Sequence, residues 1–250
     1  MESTGKTKSK VTSATRNRTL RLTATDRNRL RPRLLDLEKN PTPESGIACH
    51  DSLEIAARMT TQSVDLLFLD PPYNLDRSFG KQRFRQKSIS DYTEWLDRVV
   101  QAFLPILKPT ATIYLCGDWK TSLSIFEVAQ RYFHVRNRIT WEREKGRGAK
   151  SNWKNNSEDI WFCTVGSQYC FNVDDVKFRR PVIAPYRRRD QSPKDWHESS
   201  TGNYRDTFPS NLWTDISIPF WSMPENTDHP TQKSEKLLAK LILALSLIHI

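Results

Sequence analysis

The sequence predicts an α/β protein in which a doubly wound sheet carries helices on both faces. Val64–Leu69 is a continuous apolar run bounded by polar residues, as expected of a strand that is buried on both faces of a parallel sheet. Between residues 51 and 141, such runs alternate with segments whose apolar residues recur at helical spacing. The chain has 250 residues, which is enough for one sizeable core.

Local signals predict the elements in chain order. The loop 40–43 precedes an expected short strand at 46–49, and a helix capped near Asp51 and Ser52 should run to about Met59. Residues 91–107 have helical spacing and are stopped by Lys108 and Pro109. The other elements of this half are expected to be strands at Val64–Leu69, 111–116 and 135–141 and a helix at Ser122–Tyr132.

The second half is less regular. Residues 145–157 form a predicted loop, and residues 159–165 with 168–172 resemble a hairpin. Periodicity fades over 177–226, where arginines, prolines and tryptophans predict an irregular basic and aromatic module. Residues 231–245 return to an amphipathic helix.

The positive charge is concentrated at the start of the chain. The whole sequence carries a formal charge of +10, and residues 1–34 contain ten Lys or Arg against Glu2 and Asp26. We therefore expect residues 1–40 to form a disordered basic arm, because they lack the apolar periodicity that would repay ordering. Phosphate contacts would suit this charge, while a solvated tail without a role and an organelle transit peptide are the alternatives.

The composition argues against several other classes of protein. The sequence has no secretory apolar core and no run of about 18 apolar residues, so we expect a soluble, cytoplasmic protein without a membrane span. The four cysteines form no CxxC or Cys/His cluster, which predicts buried free thiols and no metal site. They are Cys49, Cys116, Cys163 and Cys170.

Asp70 is the strongest candidate for chemistry. It ends the buried strand, at the edge where open α/β sheets bind ligands. Pro71 and Pro72 fix φ and remove two amide donors, which leaves backbone carbonyls as stiff acceptors, and Tyr73 could stack on a base. The alternative is an Asp-initiated turn that merely follows a strand.

The run Asp70-Pro71-Pro72-Tyr73, with the strand before it and Asn74-Leu75 after it, resembles the catalytic motif of the DNA amino-methyltransferases, which modify adenine N6 or cytosine N4. Three further segments are similar to that family. Residues 47–53 resemble its Gly-Asp strand end, with His50 in place of Gly, and residues 155–162 with 169–172 resemble the lining of its target-base pocket. The third is the motif that opens its final helix, His229-Pro230-Thr231-Gln232-Lys233.

The order of these motifs resembles the permuted, beta-class arrangement, in which the glycine-rich cofactor loop follows the catalytic motif. Before Asp70 the sequence has only Gly5 and Gly46, and it has no glycine after Gly202. The resemblance therefore implies a Rossmann-like sheet that is permuted and incomplete, truncated before the glycine-rich motif. Its final residues need not be native. Within it, we expect a catalytic domain at 45–250 that includes a target-recognition region at 177–226.

The resemblance also implies roles for individual residues. Asp70, Pro71, Pro72 and Tyr73 would be catalytic, the first two as acceptors for the hydrogens of an exocyclic amine. Asp51 and Thr231 would contact the cofactor, although both could instead cap helices. The complete implied cofactor-binding set is Asp51, Asp70, His229, Thr231, Gln232 and Lys233.

Other residues have weaker implied roles. Trp161 and Phe162 could edge the pocket of the flipped base, although aromatic residues on a short strand are more often core. A group of arginines in the recognition region could contact phosphates or guanine edges, with a solvated basic loop as the alternative. This group is Arg179, Arg180, Arg187, Arg188 and Arg189.

The functional hypothesis is a site-specific DNA methyltransferase. It would transfer a methyl group from S-adenosylmethionine to adenine N6 of a base flipped out of double-stranded DNA, at a cost of roughly a few kcal/mol. A cognate restriction endonuclease and a homodimer would be possible partners. The alternatives are an N4-cytosine DNA methyltransferase, a non-catalytic DNA-binding remnant and, disfavoured by motif order, an RNA methyltransferase.

Overall fold

The computed structural model describes residues 16–40, 42, 45–79, 82–143, 148, 150–183, 185–229 and 231–245. Short 3-10 turns lie at Arg31–Arg33, Leu104–Ile106 and Val173–Val176. The helices are α1 Ala24–Leu30, α2 Ser52–Arg58, α3 Ile89–Phe103, α4 Ser122–Tyr132 and α5 Glu235–Leu245. The strands are β1 Val64–Leu69, β2 Arg77–Phe79, β3 Gln82–Phe84, β4 Leu107–Gly117, β5 His134–Glu142, β6 Ser157–Thr164, β7 Phe178–Pro181, β8 Tyr204–Thr207 and β9 Leu212–Trp213.

The central sheet has the strand order β1-β4-β6-β5-β9. β1 pairs with β4 in parallel and β5 with β9 in parallel, while β6 is antiparallel to both β4 and β5. Four strands therefore run in one direction and β6 runs against them. The carboxyl ends of β1, β4 and β5 meet the amino end of β6 at one edge of the sheet.

Helices cover both faces of this sheet, which confirms the predicted α/β class. Alternate residues of β4 point to opposite faces, because successive side chains of a strand alternate. Tyr114 and Cys116 pack in the core that includes Leu237 and Leu241 of α5. The other face of β4 packs against α3 and α4 in a second core, with Ile113, Leu115, Leu96, Val100, Ile125 and Val128 buried there.

β4 begins earlier than predicted. Helix α3 ends at Phe103, one 3-10 turn follows, and the strand includes Lys108 and Pro109, which were expected to lie between elements. Register with β1 shifts between the pairs Val64–Leu107 and Leu66–Thr112, so Pro109 lies in the irregular part of the pairing. A proline is tolerated there because no ladder hydrogen bond needs its missing amide.

Three other boundaries differ from the predictions. Residues 46–49 form no strand in the structure, and Gly46 has φ of +132°, outside extended geometry. The hairpin partner of β6 is β5, not residues 168–172, because the aromatic run that follows β6 packs onto the sheet face instead of extending the sheet. Helix α5 begins at Glu235 instead of Thr231.

The basic arm differs from the expected disorder wherever it is described. Residues 16–40 include α1, whose N-terminus has a reciprocal capping box between Thr23 and Asp26. Leu20 forms a parallel bridge with Thr227, so backbone pairing with a distant loop supplies the order that apolar periodicity does not. Residues 1–15 lie outside the described residues.

The segment 177–226, which we predicted to be a recognition region, is largely irregular but contains the antiparallel pair β7–β8 and contributes β9 to the central sheet. Trp196 and Trp213 are buried, so part of its aromatic content is core. Among the cysteines, Cys116 and Cys163 are buried, whereas Cys49 is exposed, contrary to the prediction. None of the helices in the described ranges has the length and apolar character needed to cross a bilayer.

Candidate active site

Asp70 directly follows β1 at the carboxyl edge of the sheet and opens onto a cavity of about 270 Å³. The predicted catalytic residues meet the predicted cofactor contacts His229, Thr231 and Lys233 in this cavity, although the two groups are far apart in the sequence. Its lining consists of Asp70, Pro71, Pro72, Tyr73, Leu75, Arg77, Phe84, His229, Thr231 and Lys233.

The two prolines present their carbonyl groups differently. The hydroxyl of Tyr92, a residue of α3, donates to the Pro72 carbonyl over 3.1 Å. No group in the described ranges donates to the Pro71 carbonyl. Helix α3 therefore fixes the motif through Pro72 and leaves the neighbouring carbonyl free to accept a hydrogen bond from a ligand.

Asn74 holds the segment that follows the motif. Its side-chain amide donates to the Lys87 carbonyl over 2.9 Å, and its side-chain oxygen accepts from the Lys87 amide over 2.7 Å. These two bonds close a loop that carries the β2–β3 hairpin, from which Arg77 and Phe84 reach the cavity. The sequence had suggested no role for this hairpin.

Lys233 places its ammonium group between two carboxylates. Its Nζ lies 2.7 Å from Oδ2 of Asp70 and 3.4 Å from Oε2 of Glu158, and its side chain is only 7% exposed. It also lies 3.3 Å from the hydroxyl of Tyr73. Burial lowers the pKa of Lys233, but Glu158 and Asp70 together outweigh burial and keep that pKa above its ordinary value.

Glu158 is a site residue that the sequence analysis did not single out. Its side chain is 2% exposed and forms ion pairs with Arg143, at the end of β5, as well as with Lys233. The sheet explains the contact, because Glu158 lies at the amino end of antiparallel β6, at the same edge as the carboxyl end of β1. The sequence signal that could have identified Glu158 was its position in the segment 155–162, which resembles a pocket lining.

Cys116 is buried and Tyr73 is partly buried beside these charges. Burial, followed by the charges of Glu158 and Asp70, raises the pKa of Tyr73 far above its ordinary value. Burial likewise raises the pKa of the Cys116 thiol, with the Asp70 charge as the next cause. At neutral pH the site therefore holds a neutral phenol and a neutral thiol, and Cys116 is not a thiolate nucleophile.

The residues predicted to contact the cofactor separate into two groups. His229 and Thr231 line the cavity, with the Thr231 amide 3.4 Å from Nδ1 of His229. Gln232 does not line it, because its side chain binds the preceding loop: Oε1 accepts from the amide and hydroxyl of Thr227, and Nε2 donates to the Glu225 carbonyl.

Asp51 lies outside this cavity and caps a helix. Its Oδ1 accepts from the Leu53 amide over 2.9 Å at the start of α2, which is the alternative that the sequence left open. Thr231, in contrast to Asp51, caps none of the described helices. Since α5 begins at Glu235, Thr231 is not its N-cap, and its hydroxyl contacts His229 at 3.4 Å instead.

The residues with weaker implied roles mainly make contacts that stabilise the protein itself. Phe162 is buried in the core against α5, and the Trp161 indole donates to Ser122 over 3.0 Å. Arg179 makes two hydrogen bonds to Asp206 and lies 3.9 Å above the Tyr204 ring, while Arg187 pairs with Glu198. Both arginines therefore stabilise the β7–β8 region itself, and both remain partly exposed.

Known proteins with similar sequences are DNA methyltransferases. Type II methyltransferase M.HpaI of Haemophilus parainfluenzae is 27% identical over 205 residues, which cover 80% of this chain and 59% of that protein. DNA adenine methyltransferase YhdJ of Escherichia coli (strain K12) is 28% identical over 204 residues, which cover 78% of this chain and 65% of that protein. The chain thus spans less than two thirds of the length of these relatives.

A solved structure confirms the fold. The PvuII DNA methyltransferase (cytosine-N4-specific) aligns with a TM-score of 0.55 at 16% identity, covering 82% of this chain and 72% of that one. The profile of the N6/N4 methyltransferase family, described as DNA methylase, matches residues 64–248, from the first residue of β1 to beyond α5. This match includes the Asp70 motif, Glu158 and Lys233, and the chain therefore belongs to the N6/N4 DNA methylase family.

Proposed function

We propose that this chain carries the amine-orienting site of a DNA methyltransferase, which transfers a methyl group from S-adenosylmethionine to adenine N6 of a base flipped out of duplex DNA. The observation that carries the proposal is the pair of acceptors at the end of β1. Asp70 and Pro71, whose carbonyl accepts no hydrogen bond within the described ranges, line one cavity with Lys233, Tyr73 and His229.

The acceptors would overcome the poor nucleophilicity of a ring amine, whose lone pair is delocalised into the ring. Lys233 donates to Oδ2 of Asp70, and Tyr73 also binds this carboxylate; its remaining lone pairs would accept a hydrogen of the amine. With one hydrogen on Asp70 and the other on the Pro71 carbonyl, the nitrogen lone pair turns out of the ring plane. Methyl transfer would form the N–C bond while the sulfur of the donor keeps the electron pair of the broken C–S bond, and the amine would release one proton to the Asp70 carboxylate.

The side chains that line the cavity are chemically suited to bind the proposed methyl donor. S-adenosylmethionine, when bound, supplies an activated methyl group. The imidazole of His229, the hydroxyl of Thr231 and the Lys233 ammonium offer polar partners for its amino-acid part, beside the amine acceptors. Gln232 would act by shaping the loop that presents them, and Asp51, which caps α2, remains a predicted contact for the adenine of the donor.

Adenine N6 is preferred over cytosine N4 because the motif begins with Asp, which is commoner in the adenine enzymes of the family. The relative YhdJ is named a DNA adenine methyltransferase, in keeping with this preference. Cytosine N4 is the second candidate, since the solved structure with the same fold is named cytosine-N4-specific. Digestion of the methylated DNA to nucleosides, followed by mass spectrometry, distinguishes the two products.

The test is transfer of tritiated methyl groups to duplex DNA by the whole chain and by Asp70→Asn. This substitution keeps the size of the side chain but replaces one acceptor oxygen with a donor, so we expect transfer to fall by about 10²–10³-fold. Asp65→Asn is the matched control, because Asp65 lies at the other end of β1 and pairs with Lys108. Wild-type transfer by Asp70→Asn, or no transfer by the unaltered chain, would overturn the proposal.

A further inference from the structure

The basic segment 16–33 is attached to the loop that leads into the candidate active site. The Arg18 amide donates to the Trp221 carbonyl and the Leu20 amide to the Asn226 carbonyl, both over 2.7 Å. The side chain of Asn226 donates to the Thr19 hydroxyl over 2.8 Å. This attachment continues to the site, because Thr227 binds Gln232, the residue before Lys233.

This segment, residues 16–33, which we call the arginine arm, presents a dense positive charge to solvent. It contains seven arginines against a single acid, Asp26. Helix α1 buries none of its residues. Within the described ranges, ion pairs engage just two of these arginines, Arg21 with Asp228 and Arg29 with Asp26. The exposed arginines without such a pair are Arg16, Arg18, Arg27, Arg31 and Arg33.

Packing does not explain why this segment is helical. A helix of seven residues without a buried face is marginal in water, and adjacent guanidinium groups repel one another. A polyanion would remove the repulsion. Residues 24–33 span roughly 15 Å at helical rise, which is the length of about four base pairs of duplex DNA. The charge and the length therefore fit a row of phosphates.

We propose that the arginine arm binds the phosphate backbone of the duplex whose target base enters the Asp70 cavity. The identity of the nucleic acid rests on the proposed function, whereas the phosphate contact rests on the arm itself. Arg21 pairs with Asp228, the neighbour of the cavity residue His229, so the arm is fixed beside the cavity. Phosphates bound there position the duplex without reading its sequence.

The experiment measures the affinity of the whole chain for a fluorescent duplex of about 25 base pairs at several salt concentrations, by anisotropy. The variant Arg27→Gln/Arg31→Gln/Arg33→Gln removes three exposed arginines. Within the described part of the chain, none of the three forms an ion pair, and removing them disturbs no buried residue of α1. If each contacts one phosphate, the slope of log affinity against log salt becomes shallower by about 2.7, and each loss costs up to roughly eightfold in affinity at 0.1 M salt.

The matched control is Arg98→Gln/Lys108→Gln/Arg131→Gln, which removes the same charge from α3, the amino end of β4 and the last turn of α4. It should keep the wild-type slope. Equal slopes for the arm variant and the unaltered chain would overturn the proposal, as would an equal change in the control. A slope change with single-stranded RNA but not with the duplex would also overturn it, in favour of an RNA site.

The same assay separates this proposal from the proposed function. If the unaltered chain binds DNA through the arm but transfers no methyl group, the arm stands and the catalytic proposal falls. If the unaltered chain does not bind duplex DNA, both fall.

Discussion

The balance of charge in the candidate active site depends on one buried carboxylate, that of Glu158. It lies between Arg143 and Lys233, and Lys233 in turn lies against Asp70. Two carboxylates and two cations thus balance one another at the edge of the sheet. Without Glu158, Asp70 alone would face Lys233 and Arg143, and the site would carry a net positive charge at the place proposed for a sulfonium and for an amine that becomes positive during transfer.

We predict strong coupling between Glu158 and Arg143 in a double-mutant cycle of stability. Glu158→Gln should lower the free energy of unfolding by roughly 3 kcal/mol, because it removes the buried carboxylate that pairs with both Arg143 and Lys233. Arg143→Gln in the same chain should restore part of this loss, so the double variant is more stable than additivity predicts. Urea denaturation measures all four proteins.

The exposed pair Arg187 and Glu198 provides the control for that cycle, since its side chains are 41% and 59% exposed. Its coupling should stay within about 1 kcal/mol. Additive losses at Glu158 and Arg143, or coupling no larger than that of the exposed pair, would contradict the role assigned to Glu158.

At the level of residues, the sequence was sufficient for the Asp70 motif but insufficient for its partners. Asp70, Pro71 and Tyr73 are contiguous and follow a recognisable strand, so their position could be predicted. Glu158 and Tyr92 act through contacts with residues far away in the chain, which no local pattern encodes. For Asp51, a helix cap and a ligand contact use the same side chain, and only the structure shows the cap.

Among the elements, the junction of β4 and α4 is the tightest next to the site. A Cβ atom added to Gly117 would lie 2.3 Å from Cδ1 of Ile125 and 2.8 Å from the hydroxyl oxygen of Thr121. Glycine therefore lets the first turn of α4 approach the end of β4, which is paired with Asp159 of β6. This approach keeps β4 and β6 in register beside Asp70.

We predict that Gly117→Ala destabilises the protein by roughly 1–3 kcal/mol, because either α4 or the strand end must move. Gly148→Ala is the control, since a Cβ atom there would have no neighbour within 4 Å. Thermal and urea unfolding of both variants provide the comparison. An unchanged midpoint for Gly117→Ala would mean that the strand end can shift without cost.

Regular elements could be predicted where periodicity alone determines them. The bounds of β1 and α4 agree with the expectation, since an uninterrupted apolar run or an amphipathic stretch defines each. The partners of β6 could not be predicted, because pairing depends on which strands offer a free edge in the assembled sheet. The start of α5 was wrong by four residues, because Gln232 and Lys233 use their side chains in the loop and at Asp70.

For the whole molecule, the two cores on either side of the sheet also set how stability depends on pH. Cys163 is fully buried in the core beneath α3 and α4, and burial raises the pKa of its thiol from 9.0 to about 12. Burial raises the pKa of Cys116 in the opposite core as well. The unfolded chain therefore releases these protons at a lower pH than the folded protein does.

The last prediction follows from the sign of these shifts. A thiol whose pKa is raised on folding contributes its full stability below its unfolded pKa of 9.0 and loses it as pH rises towards about 12. The free energy of unfolding should thus fall above pH 9, by at most roughly 1.4 kcal/mol per pH unit for each thiol. Urea denaturation at steps between pH 8 and 10 should show that the free energy of unfolding declines less steeply with pH for Cys163→Ala than for the unaltered chain. This difference in slope is independent of any stability that the substitution loses at neutral pH by leaving a cavity. Cys49→Ala, at an exposed position, should retain the original slope. An identical slope for Cys163→Ala would show that this core admits water to the thiol.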